Sequence, residues 1–302
     1  MWSVIKNTFG DFLDDDCPAL AASLAYYTMF SLAPVLVIIL TVCGLVLDPA
    51  DVRGQIAHEF NSVVGQQGVE QIQEMVGSVD TSPRTTWATV IGILTLIFGA
   101  SGVMVQLQAA LNKVWEVKPD PEAGGIWNFV LKRTMSLAML LGVAFILLVS
   151  LVVSWILKSL GETLVTYLPG DTTHWVWVVG HELMLVFVAT ILFALIFKFL
   201  PDAQIRWRDV GMGALITAVL FVGGKFAISL YLANSSVASM YGAAGSLVLI
   251  LVWVYYSAMI LLLGAEFTQQ WTRSRGRRIH PENGAIRVEE REVTVERAPI
   301  AQ

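Results

Sequence analysis

No Asp, Glu, Lys or Arg occurs between Asp16 and Asp48, between Arg84 and Lys113, between Arg133 and Lys158, or between Lys225 and Glu266. Stretches this long and apolar suit the interior of a bilayer, where a helix of about 20 residues crosses a hydrocarbon core of about 30 Å. Only 14% of the 302 residues are charged, 56% are hydrophobic, and the mean hydropathy is +0.67. A soluble domain carries about 25% charged residues. Charge this scarce cannot cover a water-facing surface, which excludes an ordinary soluble enzyme, a disordered chain and a coiled coil. A net charge of −5 implies no dominant nucleic-acid surface. The 2 cysteines make no disulfide framework.

Six spans are predicted: 19–47, 86–111, 130–158, 176–200, 210–232 and 243–267. Together they form an all-α, polytopic membrane domain over 19–270, preceded by a segment 1–18 and followed by a tail 271–302. A helix satisfies its own backbone where no water is available. A β-barrel would need short alternating segments, and Leu137 to Val153 does not alternate. Pro34 is expected to kink the first span by removing a helical hydrogen bond. The start of the chain carries Asp11, Asp14, Asp15 and Asp16 against Lys6, unlike the positive start of a signal peptide, so the first span is expected to stay.

Lys and Arg in short loops set orientation. All of the 19 Lys and Arg except Arg53, Arg84, Lys158 and Lys225 fall on one side, which places both termini in the cytoplasm. Tryptophans mark both boundaries, Trp87, Trp155, Trp175 and Trp177 outside, and Trp115, Trp127, Trp207 and Trp271 inside. The outer loop 48–85 repeats Val52, Ile56, Phe60 and Val63, then Val69, Ile72, Met75 and Val76, at helical spacing around Gly65 and Gly68. It reads as two amphipathic helices, a packed cap or a lid. The tail starts with Arg273, Arg275, Arg277 and Arg278, a cluster suited to anionic lipid and to fixing topology. From Pro281 it has mixed charge without periodicity and is read as solvated and disordered.

Ionisable groups inside spans are costly and mark functional candidates. From Val210 to Lys225 a helix climbs about 22 Å, and from Leu200 back to Glu182 about 27 Å, at about 1.5 Å per residue. Lys225 and Glu182 could thus pair in the outer third of the membrane, or Lys225 could snorkel while Glu182 sits at the interface. Ser23, Tyr27 and Ser31 share one face of the first span, as helix glue or as a polar path. Gly99, Ser101 and Gly102, and Gly211, Gly213 and Ala214, permit close approach of backbones. Gln106, Gln108 and Asn112 share depth with Glu266, forming either a vestibule or an interhelical network.

No catalytic, cofactor or metal constellation is read. His58, His174, His181 and His280 have no ligand spacing, and no P-loop, His-Glu-x-x-His or Cys-x-x-Cys occurs. Asp14, Asp15 and Asp16 could hold a divalent ion, but Asp16 more simply caps a helix beginning near Pro18. A nuclease would need carboxylates or histidines gathered around a metal or base. The reading therefore leans away from an enzyme and expects no nucleic-acid partner. The oligomeric state is not encoded in any pattern identified.

Five stretches in order carry a resemblance: Ala19 to Pro34 (ALAASLAYYTMFSLAP), Gly99 to Val117 (GASGVMVQLQAALNKVWEV), Phe199 to Val210 (FLPDAQIRWRDV), Tyr241 to Leu247 (YGAAGSL) and Gly264 to Phe267 (GAEF). Over about 19–270 the chain resembles the YihY/virulence factor BrkB family of bacterial inner-membrane proteins, some labelled ribonuclease BN. The resemblance implies six transmembrane helices and a multi-pass plasma-membrane location. Virulence, serum resistance and envelope lipid export are associated with some members, and no agreed catalytic residues carry over. The expectation is a transport-type protein for an amphipathic or lipid-like envelope component, with membrane lipids as partners. The alternatives are a non-transporting scaffold for envelope assembly and, disfavoured, a membrane-bound ribonuclease.

Overall fold

The computed structural model describes residues 2–43, 86–120, 171–234, 245–282 and 284–288, and the single positions 54, 134 and 142. Six helices carry the architecture among them: α1 (Trp2–Asp14), α2 (Cys17–Cys43), α3 (Thr86–Val114), α4 (Asp171–Phe199), α5 (Trp207–Asn234) and α6 (Gly245–Ser274). Helices α2 to α6 fall on the predicted spans 19–47, 86–111, 176–200, 210–232 and 243–267. The span 130–158, the outer loop 48–85 and the end of the tail lie outside the described residues, single positions apart. Among the described residues, Glu182–Phe199, Trp207–Lys225 and Leu247–Ser274 are long and apolar enough to cross a membrane. Helix α6 is the hub, packing on α1, α2, α3 and α5, while α2 pairs with α3 and α4 with α5.

The first segment is itself a helix. In α1, Val4, Thr8 and Phe12 recur every fourth residue and are buried, as expected of one helical face. Trp2, Ile5, Phe9 and Leu13 stay exposed. The chain then turns at Asp16, whose φ of 53° is left-handed, a region Asp tolerates better than most residues. The Asp16 carbonyl accepts from the amides of Ala19 and Leu20, which starts α2. The Asp16 side chain pairs with Lys113 at 3.3 Å.

Helix α6 ends at a glycine cap. Gly276 has a φ of 67°, and the Arg277 amide donates back to the Thr272 carbonyl at 3.2 Å. A left-handed glycine followed by this long-reach bond satisfies carbonyls that the helix would otherwise leave open.

Two short ribbons correct the all-α expectation. Strand β1 (Val117–Pro119) pairs antiparallel with β4 (Ala285–Arg287), and β2 (Ala203–Gln204) with β3 (His280–Pro281). The tail thus contributes residues 280–282 and 284–288 to the described structure. It straps the segment after α3 to the α4–α5 loop, helped by Glu282 N to Asp202 O and Val288 N to Glu116 O, both 2.9 Å. Strands of two or three residues are too short to leave an alternating pattern.

The best-packed core lies at this basic end of the bundle. Trp115, Phe197, Leu111, Leu262 and Val210 are buried there, with Trp115 edge-on to Phe197 at 5.9 Å between ring centres. Helices α5 and α6 interlock beside it. A Cβ at Gly213 of α5 would stand 1.7 Å from Thr268 Oγ1, and one at Gly264 of α6 would stand 1.8 Å from Thr217 Oγ1. Each threonine hydroxyl donates to the carbonyl of the glycine one turn earlier in its own helix. The contact is thus reciprocal: a glycine on each helix receives a threonine from the other, the close approach that small residues permit between membrane helices. Gly211, read as equivalent from sequence, faces open space.

Candidate functional site

The polar residues of the basic end form two clusters. In the first, α6 carries Glu266 to a fully buried position. The Cys17 thiol at the start of α2 donates to Glu266 Oε1 at 3.6 Å, and Oε2 has no partner among the described residues. The turn between α1 and α2 brings Asp15 to the same carboxyl. Burial, the largest cause, raises the Asp15 pKa above its ordinary 3.8, and hydrogen bonding to Glu266 and the charge of Lys113 offset this only in part. One turn along α6, Gln270 donates to Asp11 of α1. Arg273 lies 3.6 Å from the same Asp11 carboxylate.

The second cluster joins α3 to the α4–α5 loop. Asn112 donates to Asp202 Oδ2 at 2.8 Å and accepts from the Asp202 amide at 2.9 Å, while Gln108 donates to Oδ1 at 3.3 Å. Gln108 and Asn112 thus bond to Asp202. Gln106 is half-buried on the same helix. Gln269 ties α6 to the end of α3 by donating to the Val114 carbonyl at 2.7 Å.

Around these clusters the tail arginines meet carboxylates. Arg277 donates to both oxygens of Asp209 at 2.9 Å, and Asp209 is fully buried. Glu116 accepts from Arg273 at 2.5 Å and from Arg287 at 2.9 Å. Burial alone would raise the Glu116 pKa, but these two arginines outweigh it and hold the carboxyl below its ordinary range. Beside them opens a cavity of about 490 Å³ whose wall includes Arg273, Arg277, Arg278, Arg287 and Trp115.

The remaining predicted residues lie apart. Glu182 is exposed on α4 and Lys225 half-buried on α5. Ser23 is half-buried, Tyr27 exposed and Ser31 buried. The Ser31 hydroxyl donates to the Tyr27 carbonyl of its own helix at 2.5 Å, and Thr28 likewise to Leu24 at 2.7 Å. These two hydroxyls bond within their own helix. Sequence reasoning missed Asp202, Asp209 and Glu116 as anchors. The first two stood inside the stretch Phe199 to Val210, where two carboxylates in an otherwise apolar and basic run were the signal.

The chain compares with known proteins along nearly all its length. It is 28% identical over 284 residues to a UPF0761 membrane protein of Psychrobacter sp. (strain PRwf-1), covering 93% of this chain and 50% of that one. It is 27% identical over 271 residues to one of Alteromonas mediterranea, covering 87% of each, and 30% identical over 268 residues to one of Alkalilimnicola ehrlichii, covering 85% of this chain and 56% of that one. The chain thus spans about half the length of some relatives and most of others. No solved structure matches it. The family model described as virulence factor BrkB matches residues 8–287, from within α1 to the last residue of β4. That match takes in both the first helix and the strapped tail, wider than the 19–270 read from motifs, and the chain belongs to the virulence factor BrkB family.

Proposed function

We propose that the chain is a transport-type protein of the bacterial inner membrane that moves or handles an amphipathic or lipid-like envelope component. In this reading it crosses the membrane six times with both termini in the cytoplasm. The observation that supports it most is Glu266, an ionisable side chain fully buried in an apolar helix, with one oxygen unpartnered among the described residues. Such a group is expensive in a membrane and marks a substrate or ion pathway. Asp15 lies against it, and two adjacent carboxyls do not both ionise cheaply. A proton leaving the pair would set Asp15 and Glu266 in repulsion and push on the turn between α1 and α2. The clusters around Asp202 and Asp11 then act as the closed cytoplasmic gate.

A second reading, a non-transporting scaffold for envelope assembly, draws on the reciprocal packing of α5 and α6 and on the mutual bonding of Asn112 and Asp202. Among the described residues, no group of His, Cys, Asp and Glu that could hold a metal ion speaks for a membrane-bound ribonuclease. Reconstitution of the purified chain in vesicles separates the first two. Flux or scrambling of a fluorescent phospholipid that falls in Glu266→Gln, while the fold and melting temperature persist, supports transport. A wild-type chain that moves neither lipid nor ions, yet stays folded, supports the scaffold.

A further inference from the structure

We propose that the cavity at the end of α6 is a binding site for a phosphate group, a site separate from the Glu266 cluster and independent of whether the chain transports anything. Four guanidiniums, from Arg273, Arg277, Arg278 and Arg287, line one cavity of about 490 Å³. Guanidinium forks match the oxygens of phosphate and are the side chains of choice for recognising it.

Three of the four are held in place by carboxylates, one of which, Glu116, also lines the cavity. Arg277 spends only Nη1 on Asp209, Arg287 spends Nη2 on Glu116, and Arg273 reaches Glu116 and Asp11 through its two terminal nitrogens. A guanidinium has five N–H donors, so each pairing fixes the side chain and leaves donors over. Among the described residues, no carboxylate forms an ion pair with Arg278.

The wall also holds Trp115, 2% exposed, whose indole N–H has no acceptor among the described residues. A buried N–H without an acceptor is rare in folded proteins and calls for a ligand or a water. The glycine cap at Gly276 and the β1–β4 ribbon set the rim, bringing Arg287 back from the tail to face the end of the helix. A phosphate monoester, with its doubled charge and open oxygens, fits such a wall better than a neutral or zwitterionic group. It could come from a lipid headgroup or from a free phosphate compound.

The test uses the full-length protein in neutral detergent, titrated with inorganic phosphate, with phosphatidic acid in mixed micelles, and with phosphatidylcholine as control. Thermal stabilisation and lipid retained in native mass spectrometry are the readouts. Saturable stabilisation by inorganic phosphate supports a site open to free phosphate, and saturation by phosphatidic acid alone supports a lipid headgroup. In either case Arg278→Gln, at a position without structural pairing, should weaken binding by about tenfold or more, the worth of one charge-assisted hydrogen bond. Arg208→Gln, an exposed arginine outside the cavity, should leave binding within about twofold, as surface charges contribute little. The proposal is overturned if neither probe saturates, if phosphatidylcholine stabilises equally, or if Arg208→Gln costs as much as Arg278→Gln.

Discussion

Arg277 holds both carboxylate oxygens of Asp209 from one nitrogen, and the two residues lie 68 positions apart in the chain. Asp209 opens α5, whereas Arg277 follows the glycine cap of α6. The Asp209 side chain is 1% exposed and that of Arg277 30%. Breaking such a pair is asymmetric, because the loss depends on which charge is left buried. Arg277→Ala should cost about 3–5 kcal/mol, since it strands a buried carboxylate. Asp209→Ala should cost less, because Arg277 can turn to water. Urea titration of the purified protein measures both, and equal losses would refute this account of the asymmetry.

The interlock of α5 and α6 predicts a swap. Gly213→Ala drives a Cβ into Thr268 and should cost about 1–3 kcal/mol, the usual penalty for overpacking. Adding Thr268→Gly removes the side chain that is struck and should recover part of the loss. Full recovery is not expected, because a helical glycine itself costs about 1 kcal/mol relative to alanine. Gly211→Ala, two residues away and facing open space, should be neutral or slightly stabilising. Melting temperatures of the wild type, these three variants and Thr268→Gly alone decide it, and a double variant as weak as the sum of its parts would show that the two residues do not meet.

What could be read from the chain alone follows from the range of each signal. The spans were legible because scarcity of charge is summed over some twenty residues and needs no partner. Which face of α5 meets α6 is a tertiary fact, so Gly211 and Gly213 looked alike. Asn112 and Gln108 were found as a polar group, but their partner was taken to be Glu266 at equal depth. Asp202, which holds them, sits in a loop whose path no periodicity encodes. The strap of residues 280–288 was missed for a related reason, since its strands are short and its partners lie far away in the chain. Ser23, Tyr27 and Ser31 on α2 were read as glue or a polar path; the Ser31 and Thr28 hydroxyls bond one turn back in their own helix, as serine and threonine in helices often do.

Removing the strap should loosen one identifiable place. Truncation after Ile279 deletes β3 and β4 and with them the Arg287 bond to Glu116. Strand β1 then loses its partner, and the Glu116–Val117 bond at its start becomes a better site for a glutamyl endopeptidase. Faster cleavage after Glu116, with stability lower by about 1–3 kcal/mol, is the expected outcome for losing a charge-assisted bond and a short ribbon. Unchanged cleavage would show that the ribbon contributes nothing to holding β1.

The carboxyl of Asp15 gives the stability a pH dependence of known sign. Its pKa in the folded protein is raised above the ordinary 3.8, chiefly by burial. A carboxyl shifted upward binds protons more tightly in the folded state than in the unfolded state, so its ionisation penalises folding. The penalty is absent below 3.8, grows as the pH rises through the raised value, and is full above it. Asp15→Asn removes the ionisation while keeping the shape. It should raise the melting temperature at pH 7 to 8, and the advantage should shrink as the pH falls toward the ordinary carboxylate range. Scanning the melting temperature of both proteins from pH 4 to pH 8 is the measurement. An advantage for Asp15→Asn that stays constant across this range would mean that the gain came from packing, and not from removing a carboxyl that burial makes costly to ionise.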